Sequence, residues 1–339
     1  MPAPHRFTRA QLEQYFDRVG LPASNRIYDV SALDPEQQLS YLALLQKHYL
    51  IKVPFENLLL HYSWHRTINV DPEHLFDKIV LQPGRGGYCM ENNTFFHVVL
   101  LTLGFDVYMV PSRVYDDTAG AYGGLTHCLN IITIAETPYA VDVSFGGNGP
   151  IHPLPLEKDR IHDHIQPGQM QLRRGVLPGA SKRAGEVWFY DHRIDENAAW
   201  TPTYCFVDTE ILPADVRAMN FAPWHSPNTI FRRTILCVIF TSEDQVDENG
   251  ELRGIAESSS VSTTTTQGDH QVKGGIDGAV IILGNNMKWR RKGDKKMDRT
   301  FKNDRERVEA LEKYFGIILS QKDKEAIVGT TTEVPTTRE

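Results

Sequence analysis

Arg85-Gly86-Gly87-Tyr88-Cys89-Met90-Glu91-Asn92-Asn93 is the stretch on which the fold and chemistry of this chain turn. A cysteine follows two glycines and an aromatic residue, and the apolar run Thr94-Phe95-Phe96-His97-Val98-Val99-Leu100 continues from it as a helix. This pattern predicts a sulfur near a helix N-terminus, where aligned peptide dipoles and free N–H groups stabilise a thiolate. The glycines permit a sharp turn and leave room for a group to approach the sulfur. A cysteine taken alone is more often a small buried thiol. These flanks point instead to a nucleophile.

A nucleophilic thiol needs a base. Gly123-Gly124-Leu125-Thr126-His127-Cys128-Leu129-Asn130-Ile131-Ile132-Thr133-Ile134 runs from a glycine loop into a β-branched strand with His127 at its start. Glu136-Thr137-Pro138 signals a turn, and Tyr139-Ala140-Val141-Asp142-Val143 reads as the next strand. Burying an unpaired carboxylate is costly, so Asp142 needs a partner, for which an imidazole N–H is suited. In chain order Cys89, His127 and Asp142 supply a nucleophile, a base and an orienting acid. A turn centred between Glu136 and Thr137 sets Asp142 opposite Ile131, on the sheet face that His127 shares. A slip of one residue would separate the two. Residue types alone specify a cysteine acyltransferase or hydrolase.

The same residues carry a family resemblance. The Arg-Gly-Gly-Tyr-Cys-Met-Glu block resembles the nucleophile motif of the arylamine N-acetyltransferases. Val53-Pro54-Phe55-Glu56-Asn57-Leu58 resembles the family's Pro-Phe-Glu-Asn-Leu signature, and Thr126-His127 its histidine site. Val141-Asp142-Val143-Ser144-Phe145-Gly146-Gly147 is similar to its aspartate strand, with Ser144 where a glycine is more usual. Met219-Asn220, Ser226-Pro227 and Phe231-Arg232-Arg233 resemble its third domain, so the likeness runs from the N-terminus to about Leu319. It implies an α+β multidomain fold: an N-terminal helical bundle, a central antiparallel β-barrel and a C-terminal α/β lid around a cysteine-protease-like Cys-His-Asp site.

The resemblance also implies acyl-CoA (acetyl-CoA or malonyl-CoA) as co-substrate. An arylamine, hydrazine or N-hydroxyarylamine would receive the acyl group from an acyl-Cys89 intermediate in ping-pong fashion. By the same likeness Gly124, Thr126 and Asn228 would contact coenzyme A, and Phe145 would line the substrate pocket. The rival reading is a transglutaminase-like or other cysteine hydrolase acting on amides, which shares the Cys, His, Asp order. Papain-type spacing is excluded, because Cys89 and His127 lie 38 residues apart where that family needs roughly 130 or more.

A length of 339 residues suggests two or three compact units, and 41% hydrophobic content fits sizeable cores. A net charge of −7 gives no electrostatic case for nucleic-acid binding. No apolar run nears the roughly 20 residues of a membrane span, and the first residues lack the apolar core of a secretory signal. The four cysteines (89, 128, 205 and 237) are widely spaced without a Cys-x-x-Cys pair, which suggests neither a disulfide scaffold nor a zinc site. No metal is expected, and the composition reads as a cytoplasmic enzyme with reduced thiols.

Along the chain, 1–104 reads as the helical bundle with the nucleophile, 105–210 as the barrel with His127 and Asp142, and 211–324 as the lid domain. Thr8, Asp34 and Asp71 signal helix starts. The span 241–276, rich in Ser, Thr, Gly, Asp and Glu, reads as a flexible insertion, and 325–339 as a disordered tail. His162-Asp163-His164 reads as a solvated loop rather than a metal site. The basic run Lys288-Trp289-Arg290-Arg291-Lys292 with Lys295-Lys296 is either a solvated turn or an attractor for the phosphates of an acyl carrier.

Overall fold

The computed structural model describes residues 4–181, 185–254 and 275–335. The N-terminal helices start at the caps expected from sequence. Thr8 accepts a hydrogen bond from Gln11 N to open α1 (Arg9–Arg18), Asp34 accepts from Gln37 N to open α2 (Pro35–Lys52), and Asp71 accepts from Glu73 N to open α3 (Pro72–Phe76). Each such cap contributes about 1 kcal/mol. Between α2 and α3 lies a two-residue strand, β1 (Phe55–Glu56). Helix α4 (Cys89–Thr102) is buried along almost its whole length from Cys89 to Leu100. It packs through Phe95, Phe96 and Val99 against Tyr15, Phe16, Leu42 and Tyr49 of α1 and α2. An all-round buried helix is held on every side, and that fixes its first residue, Cys89.

The central unit comprises β2 (Asp106–Asp116), β3 (Ala121–Ile134), β4 (Thr137–Val141), β5 (Leu154–Pro155), β6 (Arg160–Asp163), β7 (Gln169–Val176), β8 (Glu186–Arg193) and β9 (Thr201–Phe206). Among the described residues they form one antiparallel sheet in the order β5-β4-β3-β2-β9-β8-β7-β6. Leu129, Ala140, Leu154, Met170, Leu172, Tyr190 and Tyr204 share one buried cluster, so the sheet curls until strands from both ends line the same interior. Its two free edges meet through side chains. His164 Nε2 lies 2.9 Å from Gly149 O, and His152 Nε2 lies 3.2 Å from Asp163 O. The segment expected as a solvated loop at His162-Asp163-His164 is therefore strand β6 and the seam beyond it, with His164 buried.

The seam makes the fold acid-sensitive. Burial holds His164 down at about 3 and His192, whose ring lies 4.6 Å from it, at about 4. These folded-state values lie below the ordinary value near 6.5, so the unfolded chain binds protons first as pH falls. The stability the neutral rings confer is complete above pH 6.5 and is lost progressively as pH drops through 4 toward 3. Urea midpoints should decline over that window, and His164→Gln should make the decline shallower. An unaltered slope in the variant would assign the acid sensitivity elsewhere.

The third unit contains α5 (Pro213–His225), α6 (Ile230–Arg233), β10 (Leu236–Ser242), β11 (Ile276–Leu283), β12 (Asn286–Arg291), β13 (Asp294–Thr300), α7 (Asp304–Phe315) and α8 (Gln321–Ala326). Its antiparallel sheet has the order β1-β10-β11-β12-β13, so the helical N-terminal third lends it a strand. Leu311 and Phe315 of α7 pack against Ile282, Met287 and Trp289 in a separate core.

Two segments are more ordered than composition suggests. Within the expected insertion 241–276, Thr241 and Ser242 close β10, Leu252 is buried and bridged by Val246, and Ile276 opens β11. The buried Trp289 indole donates to Thr241 Oγ1 at 3.3 Å, and Arg291 pairs with Asp277 at 2.6 Å; these partners hold the ends in place. Residues 255–274 lie outside the described residues. In the expected tail 325–339, Thr332 O accepts from the buried Arg307 guanidinium at 2.8 Å, Asp304 accepts from Val334 N at 2.7 Å, and Val334 is buried. A buried guanidinium must fill its donors, and the tail supplies an acceptor. Residues 336–339 lie outside the described residues.

Candidate active site

Glycines shape the approach to Cys89. A Cβ on Gly86 would sit 2.0 Å from Pro54 O, and one on Gly87 would sit 2.6 Å from Glu91 Cβ, so neither position admits a side chain without moving its neighbours. Tyr88 precedes the helix in extended conformation, and Glu91 Oε2 accepts from Tyr88 N at 3.1 Å. Cys89 is the first residue of α4, and its sulfur lies 3.6 Å from Thr126 O.

That contact brings β3 across the helix start. His127, 1% exposed, follows Thr126 and donates from Nε2 to Asp142 Oδ2 at 2.7 Å. The Cys89 sulfur, 3.6 Å from the carbonyl of the residue before His127, lies close enough to act on the imidazole electrostatically. Burial opposes its charge, but the Asp142 carboxylate, the hydrogen bond to it and the Cys89 sulfur outweigh that and raise the imidazole to about 10. The arrangement favours an imidazolium beside the Cys89 sulfur, the placement a base needs to serve a thiol nucleophile.

The β3–β4 register differs from the sequence expectation. Ala135 and Glu136 form the turn, both with positive φ, and Ile131 pairs with Ala140 rather than with Asp142. A displacement of two positions preserves the face. Asp142 lies just past the end of β4 and still reaches His127.

Several residues that sequence reasoning did not single out hold Asp142. Its Oδ1 accepts from Asn93 Nδ2 at 2.9 Å and from Ser144 N at 2.8 Å. Asn93 also donates to Cys128 O at 2.9 Å and accepts from Val143 N at 3.0 Å. One side chain thus ties the cysteine helix, the histidine strand and the aspartate segment together. Its position one helical turn after Cys89 was the available signal. From α2, the fully buried Gln46 donates to Asp142 O at 3.3 Å and Pro150 O at 3.2 Å. The Tyr204 ring stands 5.2 Å from that of His127, and burial, helped by the Asp142 charge, holds its hydroxyl protonated. Nothing local in the sequence marked Gln46 or Tyr204.

The remaining sequence candidates are spread more widely. The Phe145 ring meets His127 edge-on at 5.4 Å. Thr126 borders the sulfur through its carbonyl, and Gly124 lies nearby on β3 with open space above its Cα. Asn228 is exposed in the connection between α5 and α6, outside the hydrogen-bonded group. Phe231, the second residue of α6, packs edge-on against Tyr88 at 5.1 Å. The basic run resolves into the β12–β13 hairpin. There Lys292 pairs with Glu243 at 2.6 Å, Lys295 with Asp298 at 2.9 Å and Lys296 with Asp294 at 3.0 Å. Much of its charge is thereby answered within the fold, which weakens the case for it as an attractor of phosphates.

Behind the nucleophile lies a buried quartet of charges. Lys78 Nζ is 2.6 Å from Glu91 Oε1 and 3.5 Å from Glu56 Oε1, and Arg85 Nη2 is 2.9 Å from Glu56 Oε1. Burial pushes Glu91 up despite Lys78. Burial acts the same way on Glu56, but Arg85 and Lys78 together hold it below its ordinary value.

Known proteins match this arrangement of units. A family model described as N-acetyltransferase matches residues 38–274. An N-malonyltransferase of Fusarium pseudograminearum is 30% identical over 347 residues, covering 96% of this chain and 93% of the relative. Arylamine N-acetyltransferase 2 of Mesocricetus auratus is 26% identical over 251 residues, covering 68% of this chain and 78% of the relative. In three dimensions the chain resembles the Mycobacterium marinum arylamine N-acetyltransferase in complex with CoA. That match has a TM-score of 0.68 and 21% identity over 93% of this chain and 98% of the other. With the family model over most of its length and a full-length relative at 30% identity, the chain belongs to the arylamine N-acetyltransferase family and is an enzyme of that family.

Proposed function

We propose that this enzyme transfers a short acyl group from acyl-CoA to the nitrogen of an arylamine, hydrazine or N-hydroxyarylamine through an acyl-Cys89 intermediate. The observation that carries the reading is the His127–Asp142 hydrogen bond at 2.7 Å, with the Cys89 sulfur against the carbonyl of the residue before that histidine. The Cys89 sulfur attacks the thioester carbonyl, the C–S bond to coenzyme A breaks, and coenzyme A leaves as its thiol with the proton that His127 held. In the second half-reaction the amine attacks the acyl-cysteine, His127 takes the amine proton, and the thiolate is regenerated. Asp142 keeps the ring oriented and favours the imidazolium. Gly124, Thr126 and Asn228 are proposed to contact coenzyme A, and Phe145 the acceptor ring.

Two relatives bear on the donor. One that this chain covers nearly end to end is named an N-malonyltransferase, and the M. auratus relative an arylamine N-acetyltransferase. Thiol release from malonyl-, acetyl- and propionyl-CoA, each with aniline, distinguishes the donors. Incubation with the preferred donor and no amine should add one acyl mass at Cys89, and initial rates should give parallel double-reciprocal lines. Intersecting lines without acylated protein would replace the reading with direct transfer in a ternary complex. Release of ammonia from a glutamine peptide, with no response to acyl-CoA, would favour the transglutaminase-like alternative.

Thiol selectivity gives an independent check. Burial pushes Cys128 and Cys237 well above the ordinary thiol range and Cys205 up to about 11. Brief iodoacetamide treatment near neutral pH should therefore label Cys89 alone. Peptide mapping that finds Cys128 labelled first would reassign the nucleophile.

A further inference from the structure

We propose that Glu91 is a positioning residue that acts through Cys89: its carboxylate caps the nucleophile helix and cancels the charge of Lys78, so that the field behind the sulfur is neutral and the thiolate's partner is His127 alone. This rests on the acyl-Cys89 reading above.

The geometry gives Glu91 two separable tasks. One oxygen accepts from Tyr88 N at 3.1 Å, and the other receives Lys78 Nζ at 2.6 Å. Glu91 is fully buried, Lys78 is 2% exposed, and Lys78 stands on a π-helical turn, Asp77–Leu81. Such turns interrupt a helix at a local cost and occur often at functional sites. Here the turn carries a cation into the interior against Glu91, two residues beyond Cys89. The quartet holds two cations, Lys78 and Arg85, and two carboxylates, Glu56 and Glu91, and so sums to zero. Glu56 is already engaged by Arg85 Nε at 3.0 Å and by Leu58 N at 2.6 Å. Without Glu91, Lys78 would share Glu56 with Arg85 and leave one surplus positive charge. The other titratable groups facing the quartet include Tyr49 of α2, Tyr88 and Cys237 of β10, all held neutral by burial, and Arg18 of α1, which donates to Arg85 O at 2.9 Å.

A surplus cation near a thiol favours the thiolate but makes it a weaker nucleophile. Glu91→Gln keeps an amide oxygen for Tyr88 N, removes the charge and turns the group facing Lys78 from an acceptor into a donor. In this variant the pH midpoint of Cys89 alkylation by iodoacetamide should fall by about one unit, the scale of one nearby unit charge. The plateau kcat/KM should fall about threefold. Lys78→Met/Glu91→Gln removes both charges at similar volume, an exchange that is often tolerated, and should return the midpoint to the wild-type value. A merely structural Glu91 would lower the melting temperature of Glu91→Gln and leave the alkylation midpoint in place, which overturns the proposal. A shifted midpoint in the double variant would overturn it as well, even if the single variant does not fold. If wild-type Cys89 itself resists alkylation, the acyl-cysteine reading fails, an outcome distinguishable from failure of this one.

Discussion

Cys89→Ser should lower turnover with any acyl-CoA donor by about a thousandfold or more, equivalent to roughly 4 kcal/mol of transition-state stabilisation. A serine hydroxyl is far less ionised than a thiol near neutral pH. His127 as arranged is matched to an anionic sulfur, since it already carries the proton at about 10. The fold should be unaffected. The residue is 3% exposed at the first position of a helix buried on all sides, and serine is smaller and retains a donor for Thr126 O. Thiol-release assays paired with thermal melts check both halves. Transfer above a few per cent of wild type, by a serine variant free of residual wild-type enzyme, would remove Cys89 from the covalent role.

Asp142→Asn should be the next most damaging, at about a hundredfold or more in kcat/KM. An amide at this position no longer supplies the negative charge that raises His127 above its ordinary value. Burial then dominates and the imidazole falls, so the alkaline limb of the pH–rate profile should move to lower pH. Asparagine also turns one carboxylate oxygen into a donor, against either Asn93 Nδ2 and Ser144 N or His127 Nε2–H. Some stability should be lost with the activity, because one of those donors then faces another donor in a buried site. A profile that keeps its alkaline limb would mean that Asp142 is not what charges the imidazole.

The parts of this site legible in sequence are those with a local grammar. A glycine pair before a cysteine, helix caps at Thr8, Asp34 and Asp71, and a β-branched run starting at His127 each follow from backbone chemistry within a few residues. The face shared by His127 and Asp142 was also readable, because period-two alternation survives an even displacement in register. Tertiary supports were not readable. Gln46 reaches Asp142 across 96 residues of sequence, and Tyr204 comes from the far side of the curled sheet. Strands β7 and β13 were masked by arginines and lysines, whose stems cover apolar surface while their charges pair locally. Arg173, for example, lies over the Phe189 ring at 3.9 Å and pairs with Asp191 at 2.5 Å. The tail was misread from composition because the buried Arg307 that orders it is an α7 residue, remote from the polar stretch itself.

The two-residue strand β1 ties the first and third units together mechanically. Phe55 and Glu56 pair with Val238 and Cys237 of β10 on one side, and on the other Glu56 N donates to Gly87 O at 3.0 Å, inside the nucleophile loop. Pulling the C-terminal sheet away would unzip the loop that seats Cys89, and loss of Glu56 would leave the buried Arg85 without its carboxylate partner while Lys78 kept Glu91. Units bound in this way do not melt piecemeal. Calorimetry should show one transition, and a chain cut after residue 210 should yield no reactive thiol at Cys89, however complete its helices. Three-part architecture here does not mean three-part modularity: Cys89 should be seated for reaction only while the last sheet is in place.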